Sequence, residues 1–206
     1  MLKIWGRKNS NNVRKVLWCA EELGLPYEQI DAGGAFGVVG DAEYRAKNPN
    51  GLVPLIEDDG FVLWESNAIV RYLSAKHADG GLQPAELQAR ASADRWMDWV
   101  TSSLAAPYRT VFWGMLRTAE ADRDLVAIEA ARSLCANLLA VPEQALARQP
   151  WLSGEAFGMG DIPLGSFIYA WFEMPIERSS LPHLEAWYAR LRERPAFQRA
   201  VMTALT

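Results

Sequence analysis

Hydrophobic and polar positions alternate in short blocks over the first third of the chain, and each block is as long as one strand or one helix. An apolar run over 2–5 predicts a strand, and apolar residues at three- and four-residue steps over 12–23 predict a helix. The blocks that follow predict a strand over 27–31, a short helix over 41–47, strands over 52–56 and 61–63, and a helix over 66–76. This β-α-β-α-β-β-α order predicts a mixed four-stranded sheet, parallel in its first βαβ unit and antiparallel in the hairpin at Asp59-Gly60.

Beyond residue 81 the pattern changes to helical spacing, and no further strand is predicted. Apolar positions at three- and four-residue steps predict helices over 86–117, 124–146, 161–173, 184–194 and 196–205. We expect Pro107 to bend the first of these helices and Pro142 to end or kink the second, because proline lacks a backbone donor. The chain is therefore predicted to consist of an α/β domain over 1–78, a linker over 79–83 and an all-α domain over 84–206.

Composition narrows the classes of partner. The formal net charge of −4 and the pI near 5.3 argue against nucleic acid as the main partner. The N-terminus lacks the pattern of a signal peptide, and no unbroken apolar run reaches the ~18 residues of a membrane span, so we expect a cytoplasmic protein without a membrane partner. Cys19 and Cys135 form no metal motif and the chain has only two histidines, so no metal site is predicted.

The polar turn over 7–12, between the first strand and the first helix, is the first candidate for chemistry. Backbone N–H groups in the first turn of a helix have no partner within the helix and point outward, so they attract anions. Ser10 stands at this point, where its hydroxyl suits a thiolate. The opposing interpretation is that Ser10 only caps the helix.

Two later segments suggest a binding site for a peptide. A Val53-Pro54 bond at the start of a strand is a place where a cis peptide occurs, and the cis form would turn the Val53 N–H and C=O outward, toward an extended ligand. The alternative is a trans proline that simply begins the strand. Glu65 and Ser66 precede the next helix, where an ammonium suits Glu65 and a carboxylate suits the helix N-terminus. Ser66 is predicted to be the N-cap, and capping alone is the alternative role.

These three segments occur in order on a β-α-β-α-β-β-α framework that a helical domain follows. This arrangement resembles the glutathione transferase superfamily over essentially the whole chain. The segment NSNNVRKVLWCAEELGLPYE looks like the serine-type bacterial members related to the theta and beta groupings. The resemblance implies a thioredoxin-like N-terminal domain, an all-α C-terminal domain, a cis Pro54, a homodimer and glutathione as co-substrate.

The residue types suit the reaction that this resemblance implies, which is addition of the glutathione thiolate to a small hydrophobic electrophile in detoxification. A free cysteine thiol has a pKa of roughly 8.5, and hydrogen bonds from Ser10 as the main donor and Asn12 as the second donor would lower it. Asn9 and Asn11 are the alternative donors in this turn. The implied glutathione-binding residues are Asn50, Val53, Pro54, Glu65 and Ser66, and the implied electrophile pocket consists of Tyr108, Phe112 and Trp113. An aromatic stripe at helical spacing also fits a hydrophobic core.

Two other functions stay open at this point. One is a glutathione-dependent disulfide reductase or peroxidase, in which two glutathione molecules supply both sulfurs, and the other is a non-catalytic transferase-like binding module. The chain also departs from the family at Gly158, where a Ser or Thr usually forms a capping box with Asp161. Because glycine offers no side-chain oxygen, we expect a cost in stability there.

Overall fold

A mixed four-stranded sheet forms the N-terminal half of the molecule. The structure is a computed structural model that describes residues 1–205. The sheet has the order β2-β1-β3-β4, with β1 at Leu2–Trp5, β2 at Tyr27–Ile30, β3 at Leu55–Asp58 and β4 at Phe61–Trp64. β1 is parallel to β2 and β3 is antiparallel to β4, as the sequence pattern predicts, and β1 is antiparallel to β3.

The third strand begins later than predicted, at Leu55 instead of position 52. Pro54 has no N–H to donate to a sheet ladder, so pairing with β1 starts immediately after it, at the pair Trp5–Leu55.

Helices cover both faces of the sheet. α1 (Asn11–Glu22) and α3 (Ser66–Lys76) pack on the face to which Ile4 points, whereas α2 (Ala42–Lys47) lies over the opposite face. The alternation of side chains along β1 separates the two cores, because successive strand residues point to opposite sides of a sheet. A predicted short helix over 41–47 thus forms the smaller of two hydrophobic layers.

The C-terminal half is helical, as predicted. Its helices are α4 (Leu87–Trp99), α5 (Ala105–Leu116), α6 (Leu125–Leu146), α7 (Asp161–Glu173), α8 (Pro182–Arg192) and α9 (Pro195–Ala200). A π-helical turn at Val100–Leu104 joins α4 to α5, so the two form one continuous helical segment. Pro107 lies in the first turn of α5, and its i−4 neighbour Ser103 lies in the wide turn, which makes room for the proline ring.

Helix α6 runs through Pro142 to Leu146. Within residues 1–205 it is also the helix whose length and composition match those of a membrane span, with a mean hydropathy of 1.4. Scattered alanines and leucines raise this mean, and no unbroken apolar run within α6 reaches ~18 residues. Helices α5 and α8 pack against α6, and length and composition alone are weak evidence for membrane insertion.

The two halves are joined where α1 packs against α7. Trp18 of α1 is fully buried, and its ring lies 4.8 Å from the ring of Phe197 and 5.3 Å from that of Phe157, measured between centroids. Gly165 of α7 faces this ring, and a Cβ atom at position 165 would lie only 2.5 Å from Trp18 Cζ3. Because Gly165 of α7 has no side chain, there is room for the Trp18 ring of α1 against α7.

A buried carboxylate fixes the start of α7. Asp161 accepts hydrogen bonds from the backbone N–H groups of Leu152 at 2.8 Å and Gly158 at 3.2 Å and from Trp187 Nε1 at 2.9 Å. Burial raises the pKa of Asp161, while these donors oppose the rise. The family's capping box is therefore half preserved, since Asp161 still binds the backbone N–H three residues before it.

The hydroxyl that position 158 lacks comes from another residue. Ser153 Oγ accepts a hydrogen bond from the Gly160 N–H at 3.0 Å. A Cβ at Gly158 would lie 3.0 Å from that oxygen and 2.8 Å from the Leu82 carbonyl oxygen, so the space of the usual capping residue is already filled. This hydrogen bond takes the place of the one that a capping side chain at position 158 would make.

We expect Gly165→Ala to destabilise the protein by roughly 1–3 kcal/mol, because the new methyl group forces Trp18 or α7 to move. Alanine in a helix interior is otherwise about 1 kcal/mol better than glycine, so a loss of stability identifies the packing contact as its cause. Urea unfolding followed by tryptophan fluorescence measures the change. Gly40→Ala is the control, because no atom lies within 4 Å of the point that a Cβ would occupy there. A Gly165→Ala protein as stable as this control would contradict the prediction.

Candidate functional site

A cavity of about 500 Å³ lies between the sheet half and the helical half. Its floor is formed by the N-termini of α1 and α3, and α5 forms the opposite wall. Of the residues predicted for the site, the cavity wall contains Ser10, Asn12, Val53, Glu65, Ser66, Tyr108, Phe112 and Trp113. Segments that are far apart in sequence therefore meet in one place.

Ser10 is the residue that precedes α1, but its side chain does not cap the helix. Its backbone carbonyl accepts from Arg14 N at 2.9 Å, and within residues 1–205 its hydroxyl has no hydrogen-bond partner. The N–H groups of the first turn of α1 also lie at the cavity, without partners in the preceding turn. A hydroxyl donor and a positive helix end consequently face the same space.

Ser10, Asn11 and Asn12 of this turn are distinguished by their contacts. Asn11 is engaged on both sides of its amide: Nδ2 donates to Tyr108 Oη at 3.4 Å, and Oδ1 accepts from Arg14 at 3.3 Å. The oxygen of Asn12 accepts from Ser66 Oγ at 3.4 Å, which leaves its NH₂ group directed to no other part of the described chain. Of Ser10, Asn11 and Asn12, it is thus Ser10 and Asn12 that have an uncommitted side-chain donor.

The segment before β3 contributes backbone rather than side-chain chemistry. The Val53-Pro54 peptide bond is cis, Val53 lines the cavity and Pro54 is buried behind it. In the described chain the Val53 N–H and C=O make no hydrogen bond, so both remain available to an extended ligand. The structure does not bring Asn50 to the wall, because its backbone N–H and its Nδ2 both donate to Asn48 Oδ1 at 3.1 Å.

The start of α3 differs from the prediction by one residue. Ser66 is the first residue of the helix, and Glu65 occupies the N-cap position with φ at +75°. The prediction that Ser66 caps the helix is therefore wrong: its hydroxyl points to Asn12 and to Lys15 instead. A left-handed φ at a residue other than glycine costs of order 1–3 kcal/mol and is typical of functional sites.

The wall formed by α5 is aromatic and positively charged. Tyr108 and Phe112 are buried and stacked, with ring centroids 5.9 Å apart, and Trp113 is 45% exposed. The guanidinium of Arg109 lies 5.1 Å from the Trp113 ring centroid, and that of Arg117 lies 5.1 Å from the Phe112 ring centroid. Burial and the nearby Arg7 lower the pKa of Arg117.

Several wall residues lack a sequence signal that would have identified them. Asn67 donates from Nδ2 to the Met97 carbonyl at 2.6 Å and to Thr101 Oγ1 at 3.0 Å, so it links α3 to α4 and to the π-helical turn that follows α4. Lys15 is buried beneath the cavity although its sequence neighbours suggest a solvated basic stretch. Arg109, by contrast, has a sequence signal, since it falls one residue after Tyr108 on the helix that carries the predicted aromatic pocket.

Two family models match the chain, and both describe domains of glutathione S-transferases. Residues 6–83 match the model "Glutathione S-transferase, N-terminal domain", and residues 104–195 match "Glutathione S-transferase, C-terminal domain". Among characterised sequences, the glutathione S-transferase GstB of Escherichia coli K12 is 47% identical over 204 residues, which is 98% of each chain. Glutathione S-transferase 3 of Zea mays is 32% identical over 97% of this chain and 93% of its own.

Solved structures agree with these matches. The theta class glutathione S-transferase of Xanthomonas axonopodis pv. citri, crystallised with glutathione bound, is 62% identical over 100% of this chain and 99% of its own, with a TM-score of 0.97. A glutathione S-transferase from Pseudomonas fluorescens is 29% identical, covers 95% of this chain and 96% of its own, and has a TM-score of 0.84.

Proposed function

Because the chain belongs to the glutathione S-transferase family and is an enzyme of that family, we propose which part of its cavity binds each group of the two substrates. The N-terminus of α1 holds the glutathione thiolate, and the N-terminus of α3 holds the γ-glutamyl end of the same peptide. The α5 wall receives the electrophile. In this proposal Ser10 and Asn12 are the catalytic residues, and the protein uses no metal.

The observation that carries the proposal is the pair of uncommitted donors at the start of α1. The Ser10 hydroxyl and the Asn12 amide face the cavity beside unpaired backbone N–H groups. Hydrogen bonds to the charged form of a thiol lower its pKa, as does the positive end of a helix. Asn11 is assigned no catalytic role, because its amide is held by Tyr108 and Arg14.

The remaining contacts of glutathione follow from its chemistry. The Val53 N–H and C=O suit the central peptide of the ligand, with Pro54 shaping the backbone behind it. The carboxylate of the γ-glutamyl group suits Ser66 at the helix end, and its ammonium suits the Glu65 carboxylate. Asn50 has no part in this arrangement unless its bonds to Asn48 break.

The reaction itself needs no covalent contribution from the protein. The thiol loses its proton to solvent, and the sulfur lone pair forms a bond to an electrophilic carbon. When that carbon carries a halide, the carbon–halogen bond breaks and the halide leaves with the electron pair. On a nitroaromatic ring, negative charge first spreads into the ring, so cations beside the ring lower the barrier.

The α5 wall supports an aromatic electrophile that carries negative charge or acquires it. Trp113 and Phe112 offer flat apolar surface, and Arg7, Arg109 and Arg117 surround it. Glu65 is the one acidic residue in the described wall, and it lies on the opposite side, at α3. This charge extends the hydrophobic electrophile expected from the sequence to one with a carboxylate, sulfonate or nitro group.

We further propose that the enzyme acts in detoxification in the cytoplasm as a homodimer. Phe61, an apolar side chain that is 49% exposed on the edge strand β4, supports a partner surface there.

For the thiolate, Ser10→Ala and Asn12→Ala are each expected to raise the pKa of bound glutathione by about 1–2 units, since a hydrogen bond to a charged group contributes roughly 1.5–3 kcal/mol. The pKa of the bound thiol is obtained from the ultraviolet absorbance of the thiolate measured as a function of pH. Ser179→Ala and Asn137→Ala are the matched controls, because both residues are exposed and lie outside the cavity. A thiol pKa unchanged in both site variants would contradict the assignment.

For the electrophile, Arg109→Met is expected to reduce kcat/KM about 2- to 5-fold more for a chloronitrobenzene that carries a carboxylate than for a neutral one of equal size. An exposed charge pair of this kind contributes about 0.2–1 kcal/mol. Arg95→Met is the control, since that guanidinium lies 5.4 Å from the Trp96 ring centroid in a similar stack outside the cavity. Equal losses for the two substrates would show that the charge of Arg109 does not select between them.

For the dimer, Phe61→Glu is expected to shift the protein toward monomer in sedimentation velocity, because a charge is placed on the exposed edge strand. Val126→Glu, at a residue 82% exposed on α6, is the control and should leave the oligomeric state unchanged. A wild-type protein that sediments as a monomer at micromolar concentration would refute the homodimer.

A further inference from the structure

A lysine with almost no contact with solvent lies beneath the cavity. Lys15 is 2% exposed, extends from the second turn of α1 and forms part of the cavity wall. Lysine is rarely buried unless it is paired, because an ammonium loses its hydration there. The hydrophobic core alone therefore does not explain its position.

The partners of Lys15 in the protein do not compensate for this burial. Within the described chain its Nζ has one hydrogen-bond partner, the Ser66 hydroxyl at 3.4 Å, which is a long contact. The Phe167 ring lies on another side, with its centroid 5.2 Å from Nζ. No carboxylate forms an ion pair with Nζ in residues 1–205, and Glu65 acts on it only from farther away.

Three charged groups on the other elements that pack on α1 lie beside residues other than Lys15. Asp161 of α7 accepts from its own backbone donors and from Trp187. Arg199 of α9 pairs with Glu21 at the opposite end of α1. On β1, Lys3 lies beside Glu57. Glu65 of α3 is consequently the acidic group that acts on Lys15, and it is itself a proposed ligand contact.

We propose that Lys15 is a binding residue for the γ-glutamyl carboxylate of glutathione, and that the protein takes up a proton at Lys15 when the peptide binds. This inference rests on the proposed function, since it requires the carboxylate to sit at Ser66. The Ser66 hydroxyl, which links Lys15 to Asn12, then connects the carboxylate subsite to the thiolate subsite.

The direction of the proton movement follows from the charges. In the free protein, burial lowers the pKa of Lys15 to about 7, and Glu65 opposes the change. At pH 8 the free protein therefore holds Lys15 mainly as the neutral amine. An incoming carboxylate favours the ammonium and raises that pKa. Binding takes up a proton at pH 8, whereas at pH 6 the group is already charged and little uptake is expected.

The test uses S-methylglutathione, which has no ionisable thiol. Titration calorimetry in two buffers of different ionisation enthalpy gives the number of protons taken up at pH 6, 7 and 8. We expect uptake in the wild-type protein to increase from pH 6 to pH 8. Lys15→Met should remove the Lys15 share of this uptake and weaken binding about tenfold to a hundredfold, and Lys15→Arg should bind well with no such uptake, because arginine stays charged.

Lys8→Met is the matched control, since Lys8 is exposed near the same turn but outside the cavity wall. It should leave proton uptake unchanged. Uptake as large in Lys15→Met as in wild type would overturn the inference, since Glu65 or the ligand ammonium would then account for it.

Two further results keep the inference separate from the proposed function. Failure of the wild-type protein to bind S-methylglutathione would refute the proposed function itself. Binding without any rise in proton uptake between pH 6 and pH 8 would leave that function standing and refute the role of Lys15. If both variants misfold, NMR of the lysine side chains decides: the pKa of Lys15 must rise when the ligand is added to the wild-type protein.

Discussion

The contact between Trp18 and Gly165 is the constraint on which the rest of the molecule depends. The cavity lies between two halves of different architecture, so its shape depends on how firmly the two halves pack against each other. A buried indole from α1 fills the space left by a glycine of α7, with Phe157 and Phe197 around it. Helix α1 thereby belongs to both halves: one of its ends offers donors to the ligand, and its middle is held in the C-terminal core.

Polar contacts across the same boundary complete the alignment. Arg14 is fully buried beside the cavity, and its guanidinium donates to Thr203 Oγ1 at 2.8 Å and to the Ala204 carbonyl at 3.1 Å. Asn11 reaches Tyr108, and Asn67 reaches Met97, so each subsite of the sheet half has its own connection to the helical half. A shift of α5 relative to the sheet would therefore break hydrogen bonds as well as change the α5 wall of the cavity.

Local signals in the sequence were sufficient for most of the fold and for part of the site. The Asp59-Gly60 hairpin, the order of the elements and the helix over 66–76 follow from periodicity and turn residues, which act between near neighbours. The predicted cap at Ser66 was wrong, because the backbone conformation of Glu65 is imposed by the surrounding structure and has no local sign. Lys15 and Asn67 were missed for a similar reason: their partners lie 30 or more residues away.

The family departure at Gly158 illustrates the same limit. From the sequence, an absent hydroxyl predicts a weaker helix start. The structure supplies that hydroxyl from Ser153, seven residues before the N–H it binds. Propensity and capping rules describe which group a position needs, but a tertiary fold decides which residue delivers it.

The π-helical turn at Val100–Leu104 makes the length of this part of the chain matter more than its side chains. An α-helix turns about 100° per residue. In the wide turn each residue turns by less than this, so the turn takes up one extra residue without rotating α5 relative to α4. If the turn adopted α-helical spacing without losing a residue, α5 would rotate and Tyr108 and Phe112 would leave the cavity. The orientation of the α5 wall therefore depends on the number of residues between Met97 and Pro107 and on the wide turn that accommodates them.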